Sequence, residues 1–589
     1  MLIKYLPVIL LSGAVICLTY GVVKLYGAAD KFEKKAELLE SRVLSASDQA
    51  QAVSLETGAV NNARYIVFIS VSDTRQRAAV FQGKGNTPQE AWKNAKSLTK
   101  RFIVTNDYDP AWIKVDIVNQ VSKITTADLY KQIKLLPENF LREGISFDGS
   151  FNIALLEAEI SGNKIIDYDG DKLNLDNLNS YLKQYNRGSL MQIPDSLWLF
   201  SCQGYFCDNN NKVYELYNND EDYGRRKIDV VDKNVARGLT DTASQFLVNI
   251  VQKDGSFIYG YYPTYDREIQ DYNTMRHIGA VWSLIKQYKN TGDQTLVPPI
   301  DSTLNYVVQG FIDYPGQDTA YVVERKANEV RIGANGLAIL MLVDYMEAFQ
   351  TDKYKELVIK LGNGILELQD PKTGKYYQVL NSQDFSRKEE FQTVFFDGES
   401  TYGLVKLYAY SNDKKYLTAA CKAADYFIAN DYTKYKDHWI AYSMNELTRY
   451  APEARYYEFA LRNAQVNVKT INNAETTYHV FFELLMATFD AYDRIKQNNI
   501  PLPYLKEFDE KYFIETIYKR ARMGLNGYMY PEYAMYLQNP ARIVNTFFIR
   551  QDCYRIRIDD MQHFNMGYYA YYNNYDKLEK YRKDLGIAD

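Results

Sequence analysis

The chain predicts a multidomain protein: an N-terminal transmembrane helix, a small α/β (α+β) module, and a large all-α domain built as a closed ring of six helical hairpins. Three observations carry that reading. An uncharged apolar run, Tyr5 to Val23, is long enough to cross a bilayer. Residues 62–208 mix strand-like alternation with helix-like spacing. From Val231 onward, helix-length segments of two kinds follow one another in strict alternation. At 589 residues the chain has room for two or three such units, and 46% hydrophobic content supports a sizeable core.

Lys4 and Lys24 flank the apolar run, and its length favours a signal anchor over residues 1–29 rather than a signal peptide cleaved near Gly27-Ala28-Ala29. A single-pass membrane protein with extracytoplasmic (periplasmic or cell-surface) domains is expected. Residues 30–61 read as a polar helical stalk whose apolar positions are Phe32, Leu38, Leu39, Val43 and Leu44. In the module at 62–208, Tyr65–Val71 and Ala78–Phe81 read as strands, Pro88–Thr99 as a helix and Trp112–Val118 as a strand. Gly83-Lys84-Gly85-Asn86 lacks the ending of a phosphate-binding loop and reads as a turn. The module carries no catalytic constellation, so a scaffold role or the docking of a protein partner is expected of it.

Asp167 to Asp176 reads DYDGDKLNLD, with carboxylates spaced as calcium ligands are. Its glycine stands fourth rather than sixth, which favours a plain acidic turn. An Asn/Asp-rich linker is expected over 209–230. Of the five cysteines, Cys17, Cys202, Cys207, Cys421 and Cys553, none forms a CxxC pair, which argues against a zinc ribbon or a thioredoxin site. Cys202 and Cys207 either close a short disulfide loop or stay free. A net charge of −5 with interspersed signs leaves no nucleic-acid footprint. Tyrosine, with 53 copies against 4 histidines, suits wet cores and sugar clefts equally.

The alternation from Val231 to Asp589 defines the large domain. One kind of segment has one-faced spacing, as in Val235, Leu239, Ala243, Phe246, Leu247 and Ile250; the other is apolar on most faces, as in Gly336 to Tyr345. A helix apolar all round is buried, and a one-faced helix lies outside. Outer helices are expected near Val231, Ser302, Asp352, Asp413, Pro452 and Asp509; inner ones near Arg276, Gly333, Gly398, Asp437, Thr476 and Asp559. Turns followed by an aromatic residue, such as Asp254-Gly255-Ser256-Phe257, Thr373-Gly374-Lys375-Tyr376 and Asn526-Gly527-Tyr528, fall after outer helices and open long loops. Inner-to-outer connections such as Ser411-Asn412-Asp413 are short. Long loops therefore gather at one end of the ring. About 30 extra residues between Asn526 and Arg557 set the last unit apart.

This pattern resembles the (α/α)6-toroid carbohydrate-active enzymes: six-hairpin glycosidases, polysaccharide lyases and sugar epimerases. The resemblance covers the last 360 or so residues at the level of architecture. It implies a pocket at the mouth formed by the inner-helix N-termini, and a polysaccharide or oligosaccharide as partner.

Polar residues collect at those starts: Arg276 and His277, Arg331 with Asn335, Asp397 with Glu399, His438 with Trp439, Tyr478 with His479, and Arg557 with Asp559, Asp560 and His563. All 4 histidines of the chain are among them. Capping and dipole effects alone place some acids there. Hairpins three and six face each other across a six-membered ring. Inner axes about 10 Å apart then leave roughly 8 Å between carboxylates, the spacing of an inverting glycosidase. Glu399, walled by Phe395 and Phe396, is the expected acid, with Asp559 or Asp560 as its partner and His438 as a further catalytic group. Arg276, His277, Arg331, Asn335, Asp397, Trp439, Tyr478, His479, Arg557 and His563 are expected to bind substrate. No cofactor or metal is expected, as no HExxH-like spacing occurs. The leading expectation is a membrane-anchored inverting glycoside hydrolase acting on an exported or cell-surface polysaccharide. The alternatives are a polysaccharide lyase or uronate epimerase, with His or Tyr as base, and a non-catalytic glycan-binding or assembly protein.

Overall fold

The computed structural model describes residues 27–46, 64–218 and 220–588. The Tyr5–Val23 run and residues 47–61 of the expected stalk lie outside them.

The N-terminal module is built on a seven-stranded sheet in the order Ala79–Gly85, Tyr65–Ser72, Trp112–Thr125, Ser196–Cys207, Gly144–Ser146, Ala154–Leu155, with Val213–Glu215 beside Ser196–Cys207. Every pairing is antiparallel, so the module is α+β. Period-two geometry sorts its side chains onto two covered faces. Val67, Ile69, Val71, Ile113, Val115 and Ile117 pack under the helix Pro88–Thr105, while Ile66, Phe68, Trp112 and Val118 join the core shared with the toroid. Residues 27–46 form a helix that lies on the first face, with Phe32, Ala36, Leu39 and Val43 buried there. Over that span the expected stalk is part of the module.

The other expected features of the module resolve as follows. Gly83 to Gly85 belong to a strand. The acidic stretch is a turn between Ile166–Asp167 and Lys172–Leu173, where Asp167 accepts a hydrogen bond from the Gly170 amide at 3.2 Å. Cys202 and Cys207 are free and point to opposite faces of one strand, the toroid side and the helix side. The expected linker is tied down at its end, where Arg226 donates to Glu532 at 2.9 and 2.6 Å and Arg225 donates to Asn526 at 2.8 Å.

The C-terminal domain is an (α/α)6 toroid. Its helices are α1 (Lys233–Asn249), α2 (Thr274–Thr291), α3 (Val297–Gly310), α4 (Ile332–Phe349), α5 (Lys355–Glu367), α6 (Val394–Ser411), α7 (Lys414–Ala429), α8 (His438–Tyr450), α9 (Ala454–Gln465), α10 (Val480–Gln497), α11 (Glu510–Met523) and α12 (Ile558–Asp584). The even-numbered helices pack in sequence, α2 on α4, α4 on α6 and onward to α12, which closes back on α2. The odd-numbered helices lie outside: α1 against α12 and α2, α3 against α2, and each later one between two inner neighbours. Burial follows this placement. In α4 every residue from Ile332 to Met346 is buried, whereas α1 buries one face through Ala236, Leu239, Ala243, Phe246 and Leu247. Among the described residues, α4 is also the one helix long and apolar enough to cross a membrane, and its place at the centre of the ring accounts for that composition.

Two small antiparallel sheets tie the long loops together at the mouth. One joins Gly260–Tyr262 to Arg267–Glu268 and Ile556–Arg557; the other runs from Ile312–Asp313 to Arg387–Glu389. At the far end three inner helices stop on a residue in the left-handed conformation, Gly292, Gln350 or Asn412. That geometry satisfies the last carbonyls in a short turn.

Glycine sets the closeness of α4 and α6. A Cβ on Gly336 would stand 2.2 Å from the Glu399 carbonyl oxygen, and one on Gly333 would stand 2.0 Å from Glu399 Oε2. Gly336→Ala is therefore expected to lower unfolding stability by roughly 1–3 kcal/mol in a denaturant titration, because neither backbone can yield in a packed ring. Gly310→Ala, which meets nothing within 4 Å, serves as control and should leave stability unchanged or slightly raised.

Candidate active site

The mouth opens into a cavity of about 630 Å3. Its wall includes Arg276, Arg331, Phe395, Phe396, Glu399, His438, Trp439, Tyr478, His479, Arg557, Asp559, Gln562 and His563, all on or beside inner-helix N-termini. The insertion between Asn526 and Arg557 supplies Ile549, Gln551, Asp552 and Arg555.

Four residues expected to act at the pocket lie elsewhere. His277 is turned toward α3, where its Nε2 lies 2.9 Å from the Thr303 carbonyl and its Nδ1 2.6 Å from the Tyr272 hydroxyl. Burial lowers it to about 4, and it is a neutral core histidine between aromatic rings. Asn335 pins backbone: it donates to the carbonyls of Ala320 and Leu361, both at 3.0 Å, and accepts from the Val322 amide at 2.8 Å. Asp397 accepts from Gln378 at 2.7 Å and Tyr432 at 2.9 Å; burial lifts it to about 7 against those two hydrogen bonds. Asp560 sits just behind the cavity wall. It accepts from Arg555 Nη2 at 3.0 Å and faces His479 Nε2 at 3.5 Å.

The carboxylates of hairpins three and six are in opposite states. Glu399 is buried, and its Oε2 meets no hydrogen-bond partner. Burial, with the nearby Asp437 adding to it and Arg276 opposing, holds its pKa well above the usual carboxyl range. The protonated form of Glu399 is favoured by these surroundings. Asp559 accepts from Arg276 Nε at 2.8 Å and from Arg557 at 2.5 and 2.7 Å. Burial would raise it, but the guanidinium of Arg557 and then that of Arg276 outweigh burial and keep it ionised. An anion clamped in this way is a poor base.

Three imidazoles share the floor. His479 and His563 stack with centroids 4.9 Å apart and ring planes 22° apart, and His438 meets His563 edge-on at 5.0 Å. Burial lowers His438 to about 3; neither ring nitrogen makes a hydrogen bond, although Nδ1 lies 3.4 Å from Asp437 Oδ1. His479 is lowered by burial as well, although Asp560 opposes the shift. His563 goes the other way. Its Nδ1 lies 2.7 Å from Oε1 of the buried Glu483, whose charge outweighs burial and raises the imidazole. Glu483 is lowered in turn, burial being overcome by His563. The Tyr442 hydroxyl donates to the second Glu483 oxygen at 2.8 Å, which completes a Tyr442–Glu483–His563 relay. His438, Glu483 and His563 also place ligand-type atoms within 4.8 Å of one another. In the structure Glu483 is engaged as the partner of the His563 proton. Trp439, stacked on Trp282 at 6.1 Å, floors the cavity beside them.

Glu483 and the insertion residues escaped the sequence reading. Glu483 follows His479 by one helical turn, a spacing that would have placed both on one face of α10. The length of the last unit marked the insertion, but nothing in its composition pointed Arg555 inward.

The chain matches no family model, and no curated protein matches it in sequence. Among solved structures it is similar to a cellobiose 2-epimerase from Bacillus thermoamylovorans B4167, at 13% identity over 50% of this chain and 87% of that one, TM-score 0.42. It is also similar to a D-mannose isomerase, at 10% identity over 58% and 97%, TM-score 0.44. A third is the GH76A α-1,6-mannanase of Salegentibacter sp. HEL1_6, at 13% identity over 57% and 98%, TM-score 0.40. At such identities the likeness is at most one of fold.

The relay gives a direct test. With Glu483 ionised, His563 is expected to titrate above the ordinary imidazole value of about 6.5. In Glu483→Gln the largest opposing charge is gone and only the more distant Asp559 and Asp560 still act against burial, so the His563 titration should move down from its wild-type position. Ring-proton NMR can follow it, with only 4 histidines to assign.

Proposed function

We propose that the chain is a carbohydrate-active enzyme that moves a proton on and off a sugar carbon, as an epimerase, isomerase or lyase does. The stacked His479–His563 pair, with its two opposite shifts, supports this reading most strongly. Two titratable groups whose surroundings push them apart identify a base and an acid. Asp560 opposite Nε2 leaves Nδ1 of neutral His479 as a free lone pair. That nitrogen takes the proton from a carbon next to a carbonyl or carboxylate. The His563 imidazolium, held by Glu483 through Nδ1, hydrogen-bonds the oxygen on which negative charge builds. It then returns a proton, and Arg276, Arg331 and Arg557 border the same charge.

Glycoside hydrolysis is the second reading, favoured by Glu399, whose pKa burial raises and whose Oε2 has no hydrogen-bond partner. Its weakness is the second carboxylate: Asp559 is taken by Arg276 and Arg557, and Asp560 by Arg555. The anchored, extracytoplasmic placement belongs to the same proposal and rests on Tyr5–Val23 alone. Full-length protein should stay with membranes through an alkaline carbonate wash; release into the supernatant would count against the anchor.

Chemistry is tested in D2O with glucose, mannose, cellobiose and a galacturonan. Proton transfer predicts deuterium at the carbon next to the carbonyl, or ultraviolet-absorbing unsaturated ends if elimination follows. Rates should fall about 10²–10⁴-fold in His479→Asn and His563→Gln. The rate profile should be bell-shaped: the acidic limb, set by His479, lies below the ordinary imidazole value, and the alkaline limb, set by His563, lies above it. New reducing ends without exchange, lost in Glu399→Gln, would instead establish the hydrolase.

A further inference from the structure

The walls of the mouth are unequal. On the hairpin-six side the insertion is packed tight, with Ile549 and Tyr554 buried. On the opposite side, between hairpins three and four, two aromatic rings are exposed, Phe391 at 46% and Tyr435 at 38%. Their centroids lie 6.4 Å apart with ring planes 32° from parallel. Each is joined by a short piece of chain to the cavity: Phe391 leads to Thr393 and Phe395, and Tyr435 to His438, all on its wall.

Tyr435 is held out on a stiff base. It ends the turn Tyr432–Tyr435, which is bracketed by Asp431 and Lys436, two non-glycine residues with φ of 49° and 54°. Such conformations persist where the surroundings impose them. Tyr432 imposes this one: it is buried against Phe427, bonded through its hydroxyl to Asp397 at 2.9 Å, and set edge-on to Tyr435 at 5.1 Å. Exposing two large rings to water is unfavourable unless something covers them. Flat rings fixed beside a polar pocket fit the apolar C–H face of a pyranose ring, which leaves the sugar hydroxyls in solvent.

We infer that Phe391 and Tyr435 form an accessory subsite that stacks a further sugar unit, so that the substrate is an oligosaccharide or polymer with one unit in the pocket and the next across this rim. The inference rests on the pocket taking a saccharide, but not on which reaction follows. It is tested by calorimetric titration of the full chain with linear gluco-, manno- and galacto-oligosaccharides, from monosaccharide to hexasaccharide. In at least one series, affinity should rise about tenfold or more between monosaccharide and trisaccharide. Phe391→Ala/Tyr435→Ala should flatten that rise and leave monosaccharide binding within about twofold; both side chains are exposed, and an unchanged melting temperature checks the fold. His563→Gln, which stops the proposed chemistry, should keep the length dependence. A rise that survives in the double variant, or none in any series with the wild type, overturns the subsite. Length dependence lost at the rim in a protein showing no deuterium exchange would retire the proton-transfer reading and keep the subsite.

Discussion

An inner helix of a closed ring has neighbours on every side, so it can carry charge only at its two ends. That constraint organises the large domain. The middle of α4 is apolar throughout, and its charge appears at the far end, where Asp344 accepts from Trp282 at 2.6 Å and is ringed by Lys286, Lys289 and Lys406. Ammonium groups suit the carbonyl ends of helices. At the other end the free amides face the mouth and favour anions and hydrogen-bond acceptors. Six such ends converge on one hollow, and polar side chains excluded from the rest of the ring are concentrated there.

Convergence alone would leave the mouth wide, and the insertion before α12 narrows it. A loop of that length needs support, which the N-terminal module provides. Ser70 and Tyr536 share a hydrogen bond of 2.7 Å, the Ala78 amide donates to the Met535 carbonyl at 2.7 Å, and Asn139 donates to the Arg550 carbonyl at 3.0 Å. Arg550 is fully buried among the rings of Tyr533, Phe548 and Tyr554, while its neighbours Ile549 and Gln551 face the cavity. The sheet therefore acts as a buttress: what the module holds rigid is one wall of the pocket.

The same constraint explains how much could be read from sequence. Helix order, inner or outer, was legible because burial on all sides writes itself into composition, and α4 and α1 differ in just that respect. Residues at helix starts were legible by position but not by direction. His277 and His479 open inner helices alike, yet one turns outward to Thr303 and the other inward to Asp560, a choice made by rotation about the helix axis and by loop packing. Asn335 and Asp397 were drawn to their places by unpaired backbone and by buried tyrosine and amide groups, demands that appear only when the loops are folded. Residues 27–46 and the end of the 209–230 segment lie on the folded body for a related reason. Polar segments can lie on a folded body by one apolar stripe, as Phe32, Leu39 and Val43 do.

One buried carboxylate accounts for the division of labour among the histidines. Burial acts on all three in the same direction, against the charged form. His438 is lowered to about 3, because burial outweighs the opposing charge of Glu483. His479 has Asp560 at 3.5 Å, but that carboxylate is shared with Arg555, so the opposition is partial and the ring stays neutral. His563 hydrogen-bonds directly to Glu483, an anion surrounded by Tyr442 and imidazoles rather than by arginine. A single proton thus settles on His563. Once there, it discourages protonation of the ring stacked on it, as the lowering of His479 by His563 reflects. Moving Glu483 or pairing it with an arginine would remove the strongest influence that sets the two rings apart, and with it the distinction between donor and acceptor on which the proposed proton transfer depends.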